Sequence, residues 1–177
     1  DTALKGSGPL VIVADNGWSA ASRWPIRLAM IDRLITEAES QNRPVILVPT
    51  AATSKNPQPK IEPPGDARTT AAALQPQPYA PNRPQAVAAL EAALKAANAA
   101  SPSIVWLHDG IDHNKDAAAA ASALLALAGQ SSFAVIDETK GEEAIGLSSQ
   151  LGEKGKLEAL VLSASGSPRE GSIHAYS

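Results

Sequence analysis

The chain has 177 residues, a hydrophobic fraction of 44% and a formal net charge of −3. This length and hydrophobicity fit one globular core with at most a small appendage, and they exclude an intrinsically disordered protein. The 15 basic and 18 acidic residues are spread along the chain and form no basic stripe, so we expect no nucleic-acid partner. The absence of cysteine excludes thiol nucleophiles, cysteine-bound zinc and disulfides.

The first part of the chain has the pattern of a β-α-β unit. Leu10 to Ala14 (LVIVA) and Pro44 to Val48 (PVILV) are short apolar runs that predict buried strands. A helix is predicted between them, from about Trp24 to Ser40, with Pro25 in its first turn and apolar residues recurring four apart. Units of this kind are right-handed and have parallel strands.

The middle of the chain alternates Pro-rich loops with further elements. Residues 49–66 predict a long irregular loop, and a short helix is expected over Ala67 to Leu74 with Asp66 as its cap. A second Pro-rich stretch, residues 75–84, leads into another helix. The remaining predicted elements are a strand at Ser103 to Leu107, a helix at Asp116 to Ala128 and a strand at Phe133 to Ile136. Together these elements predict an α/β three-layer sandwich with a mainly parallel sheet.

The sequence pattern changes after about residue 140. Short strands are predicted at Ala144 to Leu151, Leu157 to Ala164 and Ser172 to Tyr176, with Gly-rich turns and no helix between them. This pattern is typical of antiparallel pairing. We therefore divide the chain into a linker at residues 1–8, an α/β domain at residues 9–140, and residues 141–177 as a β extension or the start of a second domain.

Two acidic loops follow predicted strands, at residues 15–19 (DNGWS) and 109–113 (DGIDH). In open α/β sheets, ligands gather at the carboxyl ends of the strands. If the two strands are neighbours, Asp15 and Asp109 lie close together with Ser19 between them. Such an oxygen-rich set is one that Mg²⁺ accepts. The alternative is local: the aspartates cap backbone donors, and Ser19 begins a helix.

These residues carry a family resemblance. VIVADNGWS resembles the first metal-site loop of von Willebrand factor A domains, Asp-x-Ser-x-Ser after strand one, and IVWLHDGIDH is similar to their later strand, which leads into Thr-Asp-Gly. A subgroup of bacterial membrane proteins begins with a BatA-like (aerotolerance-type) pair of transmembrane segments. This chain resembles that subgroup in four segments taken together: DNGWSAA, RPVILVPTA, PYAPNRPQAVAAL and WLHDGIDH. The resemblance covers about residues 8–140 and extends loosely to the C-terminal strands. It implies a Rossmann-like fold of the von Willebrand A type.

The resemblance also implies a cellular setting. The chain would be the periplasmic domain of a bacterial inner membrane protein whose membrane segments lie outside this sequence. One transmembrane segment more or fewer would place the domain in the cytoplasm instead.

The resemblance implies a metal-ion-dependent adhesion site, in which a carboxylate from a protein partner completes the coordination of Mg²⁺. Asp15, Ser19 and Asp109 match three of its ligand positions. These three residues are therefore the metal candidates, and no cofactor other than weakly bound Mg²⁺ is expected.

The match departs from the family pattern at several positions. Gly17 stands where the middle serine is usual, and His108 stands where threonine precedes the later aspartate. The family's middle-loop threonine has Thr69 and Thr70 as its nearest candidates, and both fall in a predicted helix. We therefore expect a degenerate site.

The leading interpretation is a non-catalytic protein-interaction module, with another von Willebrand A-containing membrane protein as a candidate partner. A structural spacer without a ligand is the first alternative, and a Mg-dependent phosphohydrolase with Asp15 as nucleophile is the second. No Gly-x-Ser-x-Gly elbow or Gly-rich phosphate loop supports an enzyme. The candidate partner-binding residues lie on the same loops: Trp18, Asn82, Arg83, Asp112 and His113. For Trp18, packing back onto the core is the favoured interpretation and contact with a partner is the alternative.

Overall fold

The computed structural model describes residues 6–51, 58–137, 145–151 and 157–163. The chain forms two compact units, Asp1–Gly141 and Glu142–Ser177. The first unit is an α/β Rossmann-like sandwich built on a five-stranded, mainly parallel sheet, which confirms the predicted fold class.

The sheet of the first unit has the strand order β3-β2-β1-β4-β5. Its strands are β1 (Leu10–Ala14), β2 (Val45–Pro49), β3 (Ile61–Glu62), β4 (Ser103–His108) and β5 (Phe133–Asp137). All neighbours pair in parallel except β2 and β3, which are antiparallel. The four predicted strands are confirmed, and β1 and β4 are neighbours, as the predicted site requires. The two-residue β3 adds a short edge strand within the segment expected to be irregular.

The described residues of the first unit form four α-helices and two short 3₁₀ helices. The α-helices are α1 (Trp24–Ser40), α2 (Pro64–Ala72), α3 (Arg83–Ala96) and α4 (Ala117–Ala128), and the 3₁₀ helices span Trp18–Arg23 and His113–Lys115. Helix α2 begins earlier than expected because proline fits the first turn of a helix, where its missing N–H costs nothing. Asp66 consequently lies within the first turn of α2 and does not cap it.

Helices cover both faces of the sheet. Helices α1 and α2 pack on one face and α3 and α4 on the other, and alternate residues of β1 point to each. Every residue of β1 is buried, which explains why its sequence is a continuous apolar run. The alanine-rich α4 buries Ala120, Leu124 and Ala128 against the sheet, because small side chains allow close packing.

The described part of the second unit is an antiparallel strand pair, β6 (Ile145–Leu151) and β7 (Leu157–Ser163). This confirms two of the predicted C-terminal strands and their antiparallel pairing. The strand predicted at Ser172 to Tyr176 lies outside the described residues. Within the described ranges, no helix is both long enough and apolar enough to cross a membrane.

Candidate functional site

The polar side chains of the site come from the carboxyl ends of three adjacent strands. Asp15 follows β1, Thr50 follows β2 and Asp109 follows β4. Parallel neighbours end at the same edge of a sheet, so the register places these residues together. The backbone N–H of Asp109 donates directly to Oδ2 of Asp15, at 3.2 Å.

Arg83, the first residue of α3, reaches between the two aspartates. One terminal guanidinium nitrogen lies 2.8 Å from Oδ2 of Asp15 and 3.0 Å from Oδ1 of Asp109. The other terminal nitrogen lies 2.8 Å from Oδ1 of Asp116. The guanidinium carbon also lies 5.2 Å from the ring centroid of Trp106 in β4, at cation–π distance. We refer to Asp15, Asp109 and Arg83 as the acidic centre.

The remaining carboxylate oxygens of the acidic centre are also occupied. The Thr50 hydroxyl donates to Oδ1 of Asp15 at 2.7 Å. The Ser19 hydroxyl donates to Oδ2 of Asp109, and Nε2 of His113 lies 2.8 Å from the same oxygen. Each carboxylate oxygen therefore has at least one hydrogen-bond partner, as buried charges require.

The acidic centre is buried, and the pKa values of Asp109 and Arg83 are shifted toward their charged forms. The side chains of Asp15 and Asp109 are 0% exposed and that of Arg83 is 1% exposed. Burial by itself would raise the pKa of Asp109, but hydrogen bonds from His113 and Ser19 outweigh it and hold this pKa at about 2. Burial would likewise lower the pKa of Arg83, but the hydrogen bond to Asp15 and its charge raise it. All these shifts favour the charged forms at neutral pH.

The loop after β1 is hydrogen-bonded to its neighbours. The Asn16 amide nitrogen donates to the carbonyls of Ala51 and Gln75, both at 3.2 Å. The backbone N–H of Trp18 donates to the carbonyl of Tyr79 at 3.2 Å. These bonds hold the Pro-rich stretch of residues 75–82 against the loop that carries the candidate site.

The close approach of that stretch explains the glycine at position 17. A Cβ atom on Gly17 would lie 2.6 Å from Cδ of Pro81 and 2.8 Å from the carbonyl oxygen of Tyr79. Side-chain carbons do not approach other atoms so closely, so serine, the residue usual here in the resembled family, does not fit this backbone.

The structure brings the three predicted metal candidates, Asp15, Ser19 and Asp109, into one cluster. His108, which was not among the predicted ligands, offers a ring nitrogen within 4.8 Å of oxygens of both aspartates. However, the carboxylate oxygens that would face a cation face Arg83. In this arrangement the residues do not fit a bound Mg²⁺ ion in addition to the guanidinium.

The two threonines considered for the middle-loop position lie elsewhere. Thr69 and Thr70 are exposed on α2, where their hydroxyls donate to Gly65 and Glu62 at 3.3 Å. Thr50, which was not among the predicted site residues, is the threonine that reaches the acidic centre. A signal for it existed, because Thr50 directly follows its strand, just as Asp15 and Asp109 follow theirs.

The candidate partner-binding residues divide into buried and surface groups. Arg83 and His113 are buried, with 1% and 8% of each residue exposed. Trp18 is half-buried, edge-on to the His113 ring with centroids 6.0 Å apart, so it packs partly back onto the site. Asn82 and Asp112 are exposed. Both also accept hydrogen bonds at helix starts, from the backbone N–H groups of Gln85 and Ala117.

No protein-family model matches the sequence, and no curated protein matches it either. The features that bear on function are therefore the buried, hydrogen-bonded acidic centre and the polar and aromatic residues around it.

Proposed function

We propose that this chain is a non-catalytic protein-binding module, which uses the loops at the carboxyl edge of its sheet as its binding face. The proposal keeps the resemblance to von Willebrand A domains as its starting point. It is supported by a Rossmann-like fold in which Asp15, Ser19 and Asp109 gather at one edge, where that resemblance implies an adhesion site.

The observation that carries the proposal is the burial of both aspartates against Arg83. A nucleophile or general base must come within hydrogen-bond distance of a substrate atom. Asp15 is 0% exposed and accepts hydrogen bonds from Thr50, Arg83 and the backbone N–H of Asp109. A carboxylate held in this way stabilises the loops and is a poor nucleophile, which argues against the phosphohydrolase alternative.

The surface around the acidic centre has the composition of a contact site. We define the rim as Trp18, Tyr79, Asn82 and Asp112. Tyr79 is 43% exposed, and its backbone carbonyl accepts a hydrogen bond from the backbone N–H of Trp18, so the two aromatic residues come from adjoining loops. Aromatic residues contribute disproportionately to protein–protein binding because they bury large areas at low entropic cost. The chain has only three tryptophans and two tyrosines, so two of these five large aromatic groups belong to the rim.

The partner that this proposal favours is a protein, with another von Willebrand A-containing membrane protein as the first candidate. Attachment to the membrane would come from segments outside this sequence. The periplasmic side is the proposed location, following the same resemblance.

Site-specific photocrosslinking in the cells that make the protein tests the proposal. A photoreactive residue is introduced at Trp18 or Tyr79, and at Lys95 as a control. Lys95 is exposed near the carboxyl end of α3, far along that helix from Arg83 at its start. We expect one defined protein adduct from the rim positions, absent at Lys95, and reduced when the second rim aromatic is changed to alanine. An adduct pattern that is the same at Lys95, or no adduct from the rim, would contradict the proposal.

A structural spacer is the second candidate, and the buried Arg83–aspartate contacts favour it because they stabilise the edge without any ligand. A spacer predicts that alanine at both rim aromatics leaves the parent protein's function in cells unchanged. A binding module predicts loss of function with the fold retained.

A further inference from the structure

We propose that the guanidinium of Arg83 takes the place of a divalent cation in this site, so that the loops are organised by an internal cation and partner binding is independent of metal. Metal-independent partner binding rests on the proposed function, whereas the replacement of a cation by Arg83 does not.

The positions of the oxygen atoms support this substitution. A single nitrogen of Arg83 lies 2.8 Å from an oxygen of Asp15, 3.0 Å from an oxygen of Asp109 and 2.9 Å from the carbonyl oxygen of Ile111. Three oxygens from three loop positions thus converge on one positively charged group. Carboxylate and carbonyl oxygens that converge in this way are the ligands that hard divalent cations take in proteins.

The surrounding hydroxyls complete the oxygen set. The Ser19 hydroxyl donates to Oδ2 of Asp109, and the Thr50 hydroxyl donates to Oδ1 of Asp15. Their oxygens therefore lie in the same cluster, next to the carboxylates. The cluster has the oxygen chemistry of a cation site, and its centre is filled by a side chain.

The charges explain why a cation is needed there. Two carboxylates, each 0% exposed, lie near enough to share one guanidinium nitrogen. Without a positive group between them, two buried like charges would have to take up a proton or bind a cation from solution. Arg83 supplies the positive charge from within the chain, at a position fixed by the start of α3.

Burial of the guanidinium prevents a partner from contacting the positive charge of Arg83. Only 1% of Arg83 is exposed, so an acidic side chain from a partner has no access to the positive charge. Recognition by completing a cation's coordination is therefore closed to this chain. Contact through the rim remains, and it should not respond to chelators.

The substitution predicts that removing Arg83 creates a site for a divalent cation. The experiment measures the unfolding temperature of the purified 177-residue chain in EDTA and in millimolar Mg²⁺ or Mn²⁺. For the unchanged chain we expect no saturable shift. For Arg83→Ala we expect a lower unfolding temperature that rises by several degrees with either metal, and that loses this response when Asp15→Asn and Asp109→Asn are added.

Arg43 provides the matched control. It is also a buried arginine, 5% exposed, but it donates to the Gly8 carbonyl and the Ser103 hydroxyl near the opposite end of the sheet. Arg43→Ala should destabilise the chain without creating a metal response. Should Arg83→Ala fail to fold, Arg83→Gln replaces it, and the unchanged chain is tested in either case.

Two results would overturn the inference. One is saturable Mg²⁺ or Mn²⁺ binding by the unchanged chain that is lost in Asp15→Asn. The other is a folded Arg83 variant that gains no more from metal than Arg43→Ala does. Neither the metal-binding nor the unfolding measurement requires a partner protein. Their outcome is therefore independent of the crosslinking test of the proposed function.

Discussion

Lowering the pH should reduce the free energy of unfolding, because Asp109 becomes protonated. The size of the reduction follows from the lowered pKa of Asp109 in the folded chain. The pKa of Asp109 is held at about 2, against an ordinary value of 3.8, because His113 and Ser19 bond to its ionised form more strongly than burial opposes it. A carboxylate whose pKa is lower in the folded state stabilises the fold above its unfolded pKa. It loses that contribution as the pH falls toward the folded value. The full contribution is roughly 2 kcal/mol at neutral pH. Because the side chain is 0% exposed, solvent screening does not reduce it.

The test compares the unchanged chain with Asp109→Asn, using urea unfolding at several pH values. Asp109→Asn is less stable at neutral pH, but it lacks the titrating group. The difference in unfolding free energy between the two proteins should therefore shrink by about 1 kcal/mol between about pH 5 and about pH 3. Taking the difference cancels the carboxylates that the two proteins share. A difference that stays constant over this range would refute the reasoning, since Asp109 would then titrate alike in both states.

Three further changes should lower the free energy of unfolding, each measured by urea denaturation at neutral pH. Gly17→Ser places a Cβ 2.6 Å from Pro81 and should cost about 1–3 kcal/mol, whereas an unchanged stability would mean that the Pro-rich stretch shifts freely. Thr50→Val keeps the shape but removes the hydroxyl that donates to Asp15, for an expected loss of about 1–3 kcal/mol. Asn82→Ala removes the cap of α3 and should cost about 1 kcal/mol, with Asn82→Asp retaining most of the stability.

Much of the fold could be predicted because its signals are local. The predicted bounds of α1, Trp24 to Ser40, agree with the structure since Pro25 marks its first turn and its apolar face recurs with helical spacing. The buried strands were recognisable as unbroken apolar runs. The two-residue β3 was missed because Ile61 and Glu62 are strand residues only by pairing with Val45 and Ile46, a contact that no local pattern reports.

The candidate site was predictable in part. Asp15 and Asp109 could be brought together by reasoning, because residues that follow parallel neighbouring strands meet at one edge of a sheet. The sequence predicts Arg83 as a partner-binding residue, whereas the structure buries its side chain between the two aspartates. Its burial depends on α3 starting at that residue, close to three carboxylates from distant parts of the chain.

The sequence by itself determined the four parallel strands and the approximate positions of the α-helices, and it marked the sheet edge where acidic groups collect. Apolar periodicity and turn residues act over a few positions, so they can be read along the chain. Tertiary structure alone decided what lies between the aspartates. Asp15, Arg83 and Asp109 are separated by 68 and 26 residues, and their pairing depends on strand order and helix placement together. Electrostatic contacts over such separations leave no local pattern in the sequence. The position of the Arg83 guanidinium between the aspartates is therefore visible only in the folded chain.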